Sequence, residues 1–495
     1  MSHRILDTIV ATTRADVLVR ESRTSLDELR GRMAIAPPVR SLSAALRPEP
    51  YAPARVIAEI KRSSPSRGAI ALGTDASAQA AAYARGGAAA ISVLTERHHF
   101  RGSLADLEAV RAVSPVPVLR KDFVVTPYQV YEARASGADA VLLICAILDD
   151  ARLTGLLALT HDLGMEALVE AHDEAEVVRA IASGASIIGV NARDLGSFSL
   201  DRSLPARLSA IIPPECIYVS ESGILGPRDI ARARAWGADA VLVGETLMRA
   251  DAPCAMTRLL ARAGGGAAGT LLGRRRAPFV KICGLASEEH VQLAARLHAD
   301  AFGLVFAPMA PSHRRVDLAR ARALVAARPD GGPMAVGVFV NEALDEIRRI
   351  ASGVPLDAIQ LSGDETPTRC AAVAAATRLP VLKALRIVAQ EDLTFLDEYL
   401  AAGAIPLLDA ARAGSYGGTG QLADWALAAE AAQRMPVILA GGLGPDTVAT
   451  ALAATHAKGV DVSSGVERVL AKDTGLIERF IMAARGSAMT EGASR

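Results

Sequence analysis

Short runs of β-branched and aliphatic residues alternate along this chain with longer stretches rich in Ala, Leu and Arg. Each run is closed by polar or glycine residues, a pattern that predicts parallel strands joined by crossover helices. The first series lies at 55–61 (RVIAEIK), 88–95 (AAAISVLT), 116–123 (VPVLRKDF), 138–145 (ADAVLLIC), 166–171 (EALVEA), 186–193 (SIIGVNAR), 216–222 (CIYVSES) and 238–245 (ADAVLVGE). The second lies at 279–284 (FVKICG), 300–306, 334–340, 356–362, 381–387, 404–410, 436–442 and 459–465. Eight strands with crossover helices in each half specify an α/β protein of two consecutive (β/α)8 (TIM) barrels. A doubly wound open sheet is the alternative, but neither half carries a GxGxxG after its first strand.

Between the two series stands ARAGGGAAGTLLGRRR at 261–276. Three glycines, small alanines and three arginines leave the backbone loosely held, so the segment is expected to be a linker. The expected division is a first barrel at 1–262, a linker at 263–277, a second barrel at 278–486 and a tail at 487–495. The first fifty residues stand outside the repeat. Leu6, Ile9, Val10 and Val17 fall near helical spacing before Pro37, Pro38, Pro48 and Pro50, which predicts one or two extra helices on the first barrel.

At 495 residues the chain is too long for one compact core, which agrees with two domains. Hydrophobic residues make up 51% but aromatics only 4%, so Ala, Val, Leu and Ile must fill the cores. Lys+Arg and Asp+Glu both number 54, a balance that argues against nucleic acid or an anionic membrane as the partner. The five cysteines are scattered without a CxxC, so neither a disulfide framework nor a zinc site is expected. The amino-terminal apolar run is too short for a signal peptide and no long uncharged apolar stretch follows, so a cytoplasmic location is expected. His98–His99 is the one candidate metal cluster. Neighbouring side chains in an extended segment point apart and no spaced third ligand accompanies them, so a polar loop is expected there, with no metal and no cofactor.

In such barrels chemistry sits at the carboxyl ends of the strands. That rule selects Glu59, Lys61, Lys121, Glu170, Asn191, Arg193, Glu221 and Ser222 in the first half. In the second it selects Cys283, Gln360, Lys383, Arg386 and Asp409. A lone lysine at a strand end often only snorkels to water, but several charges converging on one mouth are hard to explain that way. After the seventh and eighth strands each half also carries glycine beside small or polar residues. These are SESGI at 220–224 and VGE at 243–245, then AGGL at 440–443 and DVSSGVE at 461–467. Glycine lets backbone approach a ligand, a following helix start offers unpaired N–H groups, and this barrel position often holds phosphate. Two barrels, each acting on a phosphorylated small molecule, are therefore expected.

EIKRSSPS (59–66), VLRKDF (118–123), VE (169–170), VNARDL (190–195), SESGI and VGE resemble indole-3-glycerol-phosphate synthase. KICG (281–284), the SxR at 312–314, LKALR (382–386), LLDA (407–410), GGTGQ (417–421) and DVSSGVE resemble phosphoribosylanthranilate isomerase. These motifs cover most of the chain in family order. The resemblance implies a fused bifunctional enzyme of tryptophan biosynthesis, synthase first, working on phosphosugar-anthranilate substrates and expected to be a monomer. For the isomerase half it implies Asp409 as acid and Cys283 as base, with Lys281 or a helix terminus favouring the thiolate. Arg314 would hold the anthranilate carboxylate, and Gly442, Ser464 and Gly465 the phosphate. For the synthase half it implies Lys121 as general acid, its pKa lowered by neighbouring Lys61, and Glu170 as the assisting carboxylate. Lys61 and Arg193 would meet the anthranilate carboxylate, with Glu59, Asn191 and Glu221 positioning these cations and Ser222 lining the site. Ser64, Gly223, Gly244 and the Glu245 N–H would surround the phosphate.

The chain departs from the isomerase pattern at Ser362, where the family usually reads histidine in QLHG. Neither proton-transfer residue is lost by that change. Other phosphosugar barrels would call for paired catalytic aspartates or metal-binding histidines, which the Lys61, Lys121 and Glu170 set fits poorly. A decayed, non-catalytic binding protein would have lost Lys121, Cys283 or Asp409, and all three are present.

Overall fold

The computed structural model describes residues 3–65, 68–193, 199–201, 203–263, 267–308, 312–409 and 424–491. The chain divides into two compact units, Met1–Ala263 and Gly264–Arg495.

In the first unit the expected strands are β1 (Arg55–Ile60), β2 (Ala90–Leu94), β3 (Val118–Lys121), β4 (Ala140–Ile144), β5 (Glu166–Ala171), β6 (Ile187–Asn191), β7 (Ile217–Glu221) and β8 (Ala240–Val243). All pair in parallel with their sequence neighbours, and β1 closes the sheet by pairing with β8, Arg55 opposite Ala240. The second unit repeats the plan with β9 (Phe279–Cys283), β10 (Ala301–Val305), β11 (Met334–Phe339), β12 (Ala358–Leu361), β13 (Val381–Arg386), β14 (Ala404–Asp409), β15 (Ile438–Leu439) and β16 (Gly459–Val462). There β9 pairs with β16, Phe279 opposite Gly459. A closed parallel sheet has no edge, which excludes the open-sheet alternative.

A repeated sequence device starts several strands. The aspartates of ADA at 138–140 and 238–240, of ADA at 299–301 and of LDA at 356–358 stand just before strands. Each accepts the N–H of the first or second residue of the preceding strand: Asp139 from Val118 (2.8 Å), Asp239 from Tyr218 (3.0 Å), Asp300 from Val280 (2.8 Å) and Asp357 from Ala335 (2.7 Å). Donors that would otherwise be left at the barrel floor are thus satisfied.

Three helices, not one or two, precede β1: α1 (His3–Arg23), α2 (Leu26–Ile35) and α3 (Leu42–Leu46). The break between α1 and α2 comes from Ser25. Its hydroxyl accepts the Glu28 N–H while its own N–H donates to the Glu28 carboxylate at 2.6 Å, a capping box that starts a new helix. Ile9 and Val17 are buried as their spacing predicts, and α3 sinks Leu42 and Leu46 into the cluster of inward strand residues.

Two segments are more ordered than their composition suggests. Residues Gly269–Gly273 of the expected linker form a wide helical turn with Leu272 buried, because Leu271 and Leu272 supply apolar side chains within the glycines. The last helix, Thr474–Glu491, runs into the expected tail, whose Ala, Met and Glu favour helix.

Candidate functional site

Side chains alternate across a strand, so a residue two positions beyond an inward hydrophobe also faces inward. In the first barrel Ile57, Leu119, Leu168 and Val219 belong to the interior cluster. Two positions on, each of these strands carries a charge: Glu59, Lys121, Glu170 and Glu221. Period two therefore delivers four charged groups to one layer at the carboxyl end. Lys61 follows Glu59 by the same rule, and Asn191 ends β6. All line one cavity of about 240 Å³ together with Ser64, Arg193, Ser222, Gly223, Gly244 and Glu245.

Within that cavity Lys121 Nζ donates to Glu170 Oε2 at 2.7 Å and lies 3.3 Å from Glu221 Oε2, while Lys61 Nζ lies 2.6 Å from Glu59 Oε1. Burial alone would lower the Lys121 pKa, but Glu170, Glu221 and Glu59 outweigh it and hold the ammonium above its ordinary value. This corrects the expectation that Lys61 would lower it, since Glu59 already neutralises Lys61. Burial would raise Glu170, yet Lys121 and His172 hold it below the usual carboxylate range. Burial and the neighbouring Glu170 charge push Glu221 up against the pull of Lys121. Two carboxylates around one ammonium thus divide into one firmly ionised and one poised to take a proton.

Asn191 stands between Glu170, Ser222 and the backbone of Arg193. Its Nδ2 donates to Glu170 Oε1 at 3.3 Å, and its Oδ1 accepts from Ser222 Oγ at 2.8 Å and from the Arg193 N–H at 3.1 Å. It therefore aims a carboxylate and ties the ends of β6 and β7 together. Ser222 and Gly223 are both left-handed, at φ 69° and 78°, a turn that a side chain at Gly223 would strain. Gly244 leaves room for the neighbouring ion pair, because a Cβ there would come within 2.3 Å of Glu59 Oε1. Thr246 Oγ1 donates to the Ile224 carbonyl at 2.6 Å, joining the loops after β7 and β8 around the space where phosphate is expected.

Gly189 has an analogous role in β6. A Cβ at this position would meet Glu221 Oε1 at 2.2 Å. Gly189→Ala should therefore push the Glu221 carboxylate off Lys121. The expected loss is on the order of 10²-fold in kcat for first-barrel chemistry, the effect of displacing a group by about an ångström, with second-barrel chemistry retained as an internal control. Unchanged first-barrel kinetics in the folded variant would show that the placement of Glu221 does not matter.

In the second barrel Lys281 and Cys283 stand on the same face of β9. Lys281 is fully buried and donates to Asp461 Oδ1 at 2.9 Å, its register partner on β16. Cys283 packs with Val305, Ala307, Val338 and Val340. Gly303 leaves room for this pair, since a Cβ there would lie 2.7 Å from the Cys283 sulfur and 3.3 Å from Lys281 Nζ. Burial pushes the Cys283 thiol up; Lys281 pulls it down, but burial and Asp461 prevail. Lys281 thus favours the thiolate, as expected of it, but against a larger opposing effect of burial. Asp409 ends β14 opposite Arg386 in register, on a common face.

Arg314 donates through Nε and Nη2 to Glu467 at 2.9 and 2.7 Å, and Lys472 Nζ lies 2.8 Å from the same carboxylate. Despite partial burial these two cations bring Glu467 down to about 2. Lys472 also donates to the Ser463 carbonyl at 2.8 Å, anchoring the hairpin of Glu467–Arg468 and Ala471–Lys472 beside Ser464 and Gly465. Gly442 is left-handed at φ 66°. At Gly465 a Cβ would come within 1.8 Å of the Leu443 carbonyl, so only glycine lets the loops after β15 and β16 meet.

Lys383, one of the strand-end candidates, does not reach this mouth. Its ammonium donates to the Gly363 and Ala384 carbonyls at 2.7 and 2.8 Å and pairs with Glu365 at 3.1 Å, clipping the loop after β12. Its neighbour Leu382 shares the face of Gln360, so Lys383 points the other way. Gln360 is buried and donates through Nε2 to Ser362 Oγ at 3.1 Å. GGTGQ at 417–421 lies outside the described residues, as do Ser66, Asp194, Leu195 and Ala410 of the other motifs.

His98 Nε2 lies 2.8 Å from Asp16 Oδ2, and Arg97 reaches the other oxygen of Asp16, so this polar loop fastens α1 to the end of β2. Among the described residues no group of three His, Cys, Asp or Glu is placed to hold a metal. Several lining or supporting residues have no signal in the strand-end rule. Phe100, Phe123, Leu142, Ile144 and Leu242 make the apolar wall of the first cavity. His172, two residues beyond Glu170 on the same face, could have been found by extending period two past the strand. Glu467 and Lys472 could not, because a hairpin brings them back to the site.

A sequence profile of indole-3-glycerol phosphate synthase matches residues 6–260, and one of N-(5'phosphoribosyl)anthranilate (PRA) isomerase matches residues 280–483. An indole-3-glycerol phosphate synthase of Parafrankia sp. is 53% identical over 248 residues, 50% of this chain and 91% of the relative. A multifunctional tryptophan biosynthesis protein of Schizosaccharomyces pombe is 38% identical over 468 residues, 87% of this chain, which spans 59% of that protein's length. The crystal structure of phosphoribosyl anthranilate isomerase from Thermotoga maritima is similar at 35% identity, covering 42% of this chain and 99% of that one with a TM-score of 0.38.

Proposed function

Because the chain belongs to the indole-3-glycerol phosphate synthase family in its first barrel and to the phosphoribosylanthranilate isomerase family in its second, we propose how the residues of each mouth share two successive reactions. The protein is a bifunctional enzyme of tryptophan biosynthesis. The second barrel isomerises N-(5-phosphoribosyl)anthranilate to 1-(2-carboxyphenylamino)-1-deoxyribulose 5-phosphate, an Amadori rearrangement. The first barrel cyclises and decarboxylates that product to indole-3-glycerol phosphate.

In the isomerase mouth Asp409 protonates the ribose ring oxygen as the ring opens, and Cys283 removes the C2 proton. The thiol must ionise first, and Lys281 is the cation beside it. Glu467 takes the Nε–Nη2 edge of the Arg314 guanidinium, which leaves Nη1 to meet the anthranilate carboxylate. Gly442, Ser464 and Gly465 hold the phosphate.

In the synthase mouth Lys121 donates a proton to the substrate carbonyl as the aromatic carbon bearing the carboxylate attacks it. Carbon dioxide leaves that carbon, and the Lys121 amine regains a proton from solvent, the one proton that loss of a carboxylate as carbon dioxide requires. Lys121 then gives that proton to the hydroxyl, which departs as water while Glu170 takes the proton of the adjacent C–H. Glu170, 2.7 Å from Lys121 Nζ, returns it to the amine, so the enzyme ends in its starting state. Lys61, oriented by Glu59, and Arg193 hold the carboxylate until it leaves. Glu221 keeps Lys121 charged, and Ser222 fixes Asn191, which aims Glu170. Ser64, Gly223, Gly244 and the Glu245 N–H surround the phosphate. The observation that carries this reading is the ammonium of Lys121 between Glu170 and Glu221 in a cavity walled by aromatic and aliphatic side chains.

The test is to feed purified protein each intermediate and measure indole-3-glycerol phosphate. Absence of product from the carboxyphenylamino-deoxyribulose phosphate would refute the synthase assignment. We further take the enzyme to be a monomer in the cytoplasm, to be checked by sedimentation and fractionation; among the described residues no helix is long and apolar enough to cross a membrane.

Each barrel closes its own sheet, and every residue assigned to one reaction lies in one compact unit. Residues 1–263 and 264–495 expressed apart should therefore unfold cooperatively and retain one activity each. A folded half that works only after the other is added would show that the sites are built jointly.

A further inference from the structure

His172 follows β5 and stands between two carboxylates. Its Nδ1 lies 3.1 Å from Glu176 Oε2, whose same oxygen also accepts the His172 backbone N–H at 2.8 Å. Its Nε2 is buried at an ion-pair distance of 3.3 Å from Glu170 Oε1, without the alignment of a hydrogen bond. An ionised carboxylate only accepts hydrogen bonds, so a neutral ring with one N–H would turn a lone pair toward one of the two glutamates. Only the doubly protonated ring satisfies both. We propose that His172 is a positioning residue for ring closure: an imidazolium set between Glu176 and Glu170 that keeps Glu170 ionised and draws its Oε1, so that Oε2 faces Lys121.

The surroundings agree. From β3 comes Lys121, from β6 the Asn191 amide on the same Glu170 oxygen, and from β7 Glu221, all beyond Glu170. From the helix Glu174–Ala182 comes Glu176, whose carbonyl faces the Cys145 sulfur at 3.7 Å. Arg179 of that helix is paired with Asp150 and with the Cys145 and Leu148 carbonyls. No cation among these takes the place of the ring between the two glutamates. Burial alone would lower the His172 pKa, but Glu170 and Glu176 outweigh it and raise it to about 10. The folded-state value is raised, so the charge is fully present through neutral pH and is lost only in alkali.

The consequence concerns acid. Glu170 works as a base only when ionised, and a cation beside it extends that state to lower pH. The inference rests on the reading of Glu170 above, so the experiment separates the two. Isotope-labelled histidine in the full chain, with the resonance assigned by H172Q, should show His172 as imidazolium at about pH 7.5, where an unperturbed ring is neutral. In H172Q the acid limb of kcat for ring closure should move up by about one pH unit, the effect of removing one neighbouring charge, while KM stays within about twofold. In Glu176→Gln the ring keeps its place but loses its second carboxylate. In that variant the labelled His172 resonance should titrate at lower pH than in the wild type, since only Glu170 remains to hold the charge; an unmoved titration would show that Glu176 does not contribute to it. A neutral His172 in the wild-type protein overturns the inference even if H172Q does not fold. An unmoved acid limb in folded H172Q overturns it while leaving the Glu170 reading intact. Wild-type protein that fails to convert the carboxyphenylamino-deoxyribulose phosphate overturns both.

Discussion

Lys121→Ala should stop indole-3-glycerol phosphate formation and make the carboxyphenylamino-deoxyribulose phosphate accumulate. Losing a positioned general acid typically costs about 10²–10⁴-fold. Here a second effect adds to it, because the ammonium also neutralises Glu170 and Glu221 at 2.7 and 3.3 Å. Without it two buried carboxylates face each other, and one must take up a proton. Both losses fall on kcat, so the expected reduction lies at the upper end of that range, with the isomerase step unaltered. Lys121→Arg would keep the charge but not the acid, since guanidinium does not give up its proton near neutrality. It should restore stability without restoring turnover. Product formed by Lys121→Ala at a rate near that of the wild type would rule Lys121 out as the acid.

The second large effect is expected at Cys283. Replacing it with alanine should abolish the Amadori rearrangement while ring closure continues on supplied intermediate, because the base lies in the second barrel alone. Burial holds the thiol above its ordinary pKa, with Lys281 partly offsetting it. The sign of the pH dependence follows. The thiolate fraction grows tenfold per pH unit below that pKa, so isomerase kcat/KM should climb through the neutral and mildly alkaline range. The synthase step, whose lysine is held charged, should not climb with it. Lys281→Met should push the thiol further up and move the climb to higher pH. A flat isomerase profile, or most of the rate surviving in Cys283→Ala, would require another base.

Much of this architecture was legible beforehand. All sixteen strands stand where apolar runs end in charge or glycine, with ends shifted by up to three residues. Closed β/α repetition leaves few alternatives once eight strands per half are counted. The strand-end rule found Lys121, Glu170 and Glu221 because period two makes an inward hydrophobe predict an inward charge two positions on. It failed at Lys383, which sits an odd step from the inward Gln360 and clips a loop instead. It had no access to Glu467 and Lys472, carried back to the mouth by a hairpin, nor to the capping box at Ser25 that splits the amino-terminal helix.

What the amino-acid order determined by itself is local and periodic: which segments extend, which face each side chain takes, and where glycine must stand. Ionisation was decided only by the tertiary structure. Lys61 is a sequence neighbour of Glu59 and a plausible repeller of Lys121, yet in space Glu59 neutralises it and three carboxylates surround Lys121. Lys281 stands two residues from Cys283 and pulls its thiol down, yet burial and Asp461, 180 residues from Lys281, prevail. Coulomb energy depends on distance and on the loss of water around each group, and neither can be read from separation along the chain.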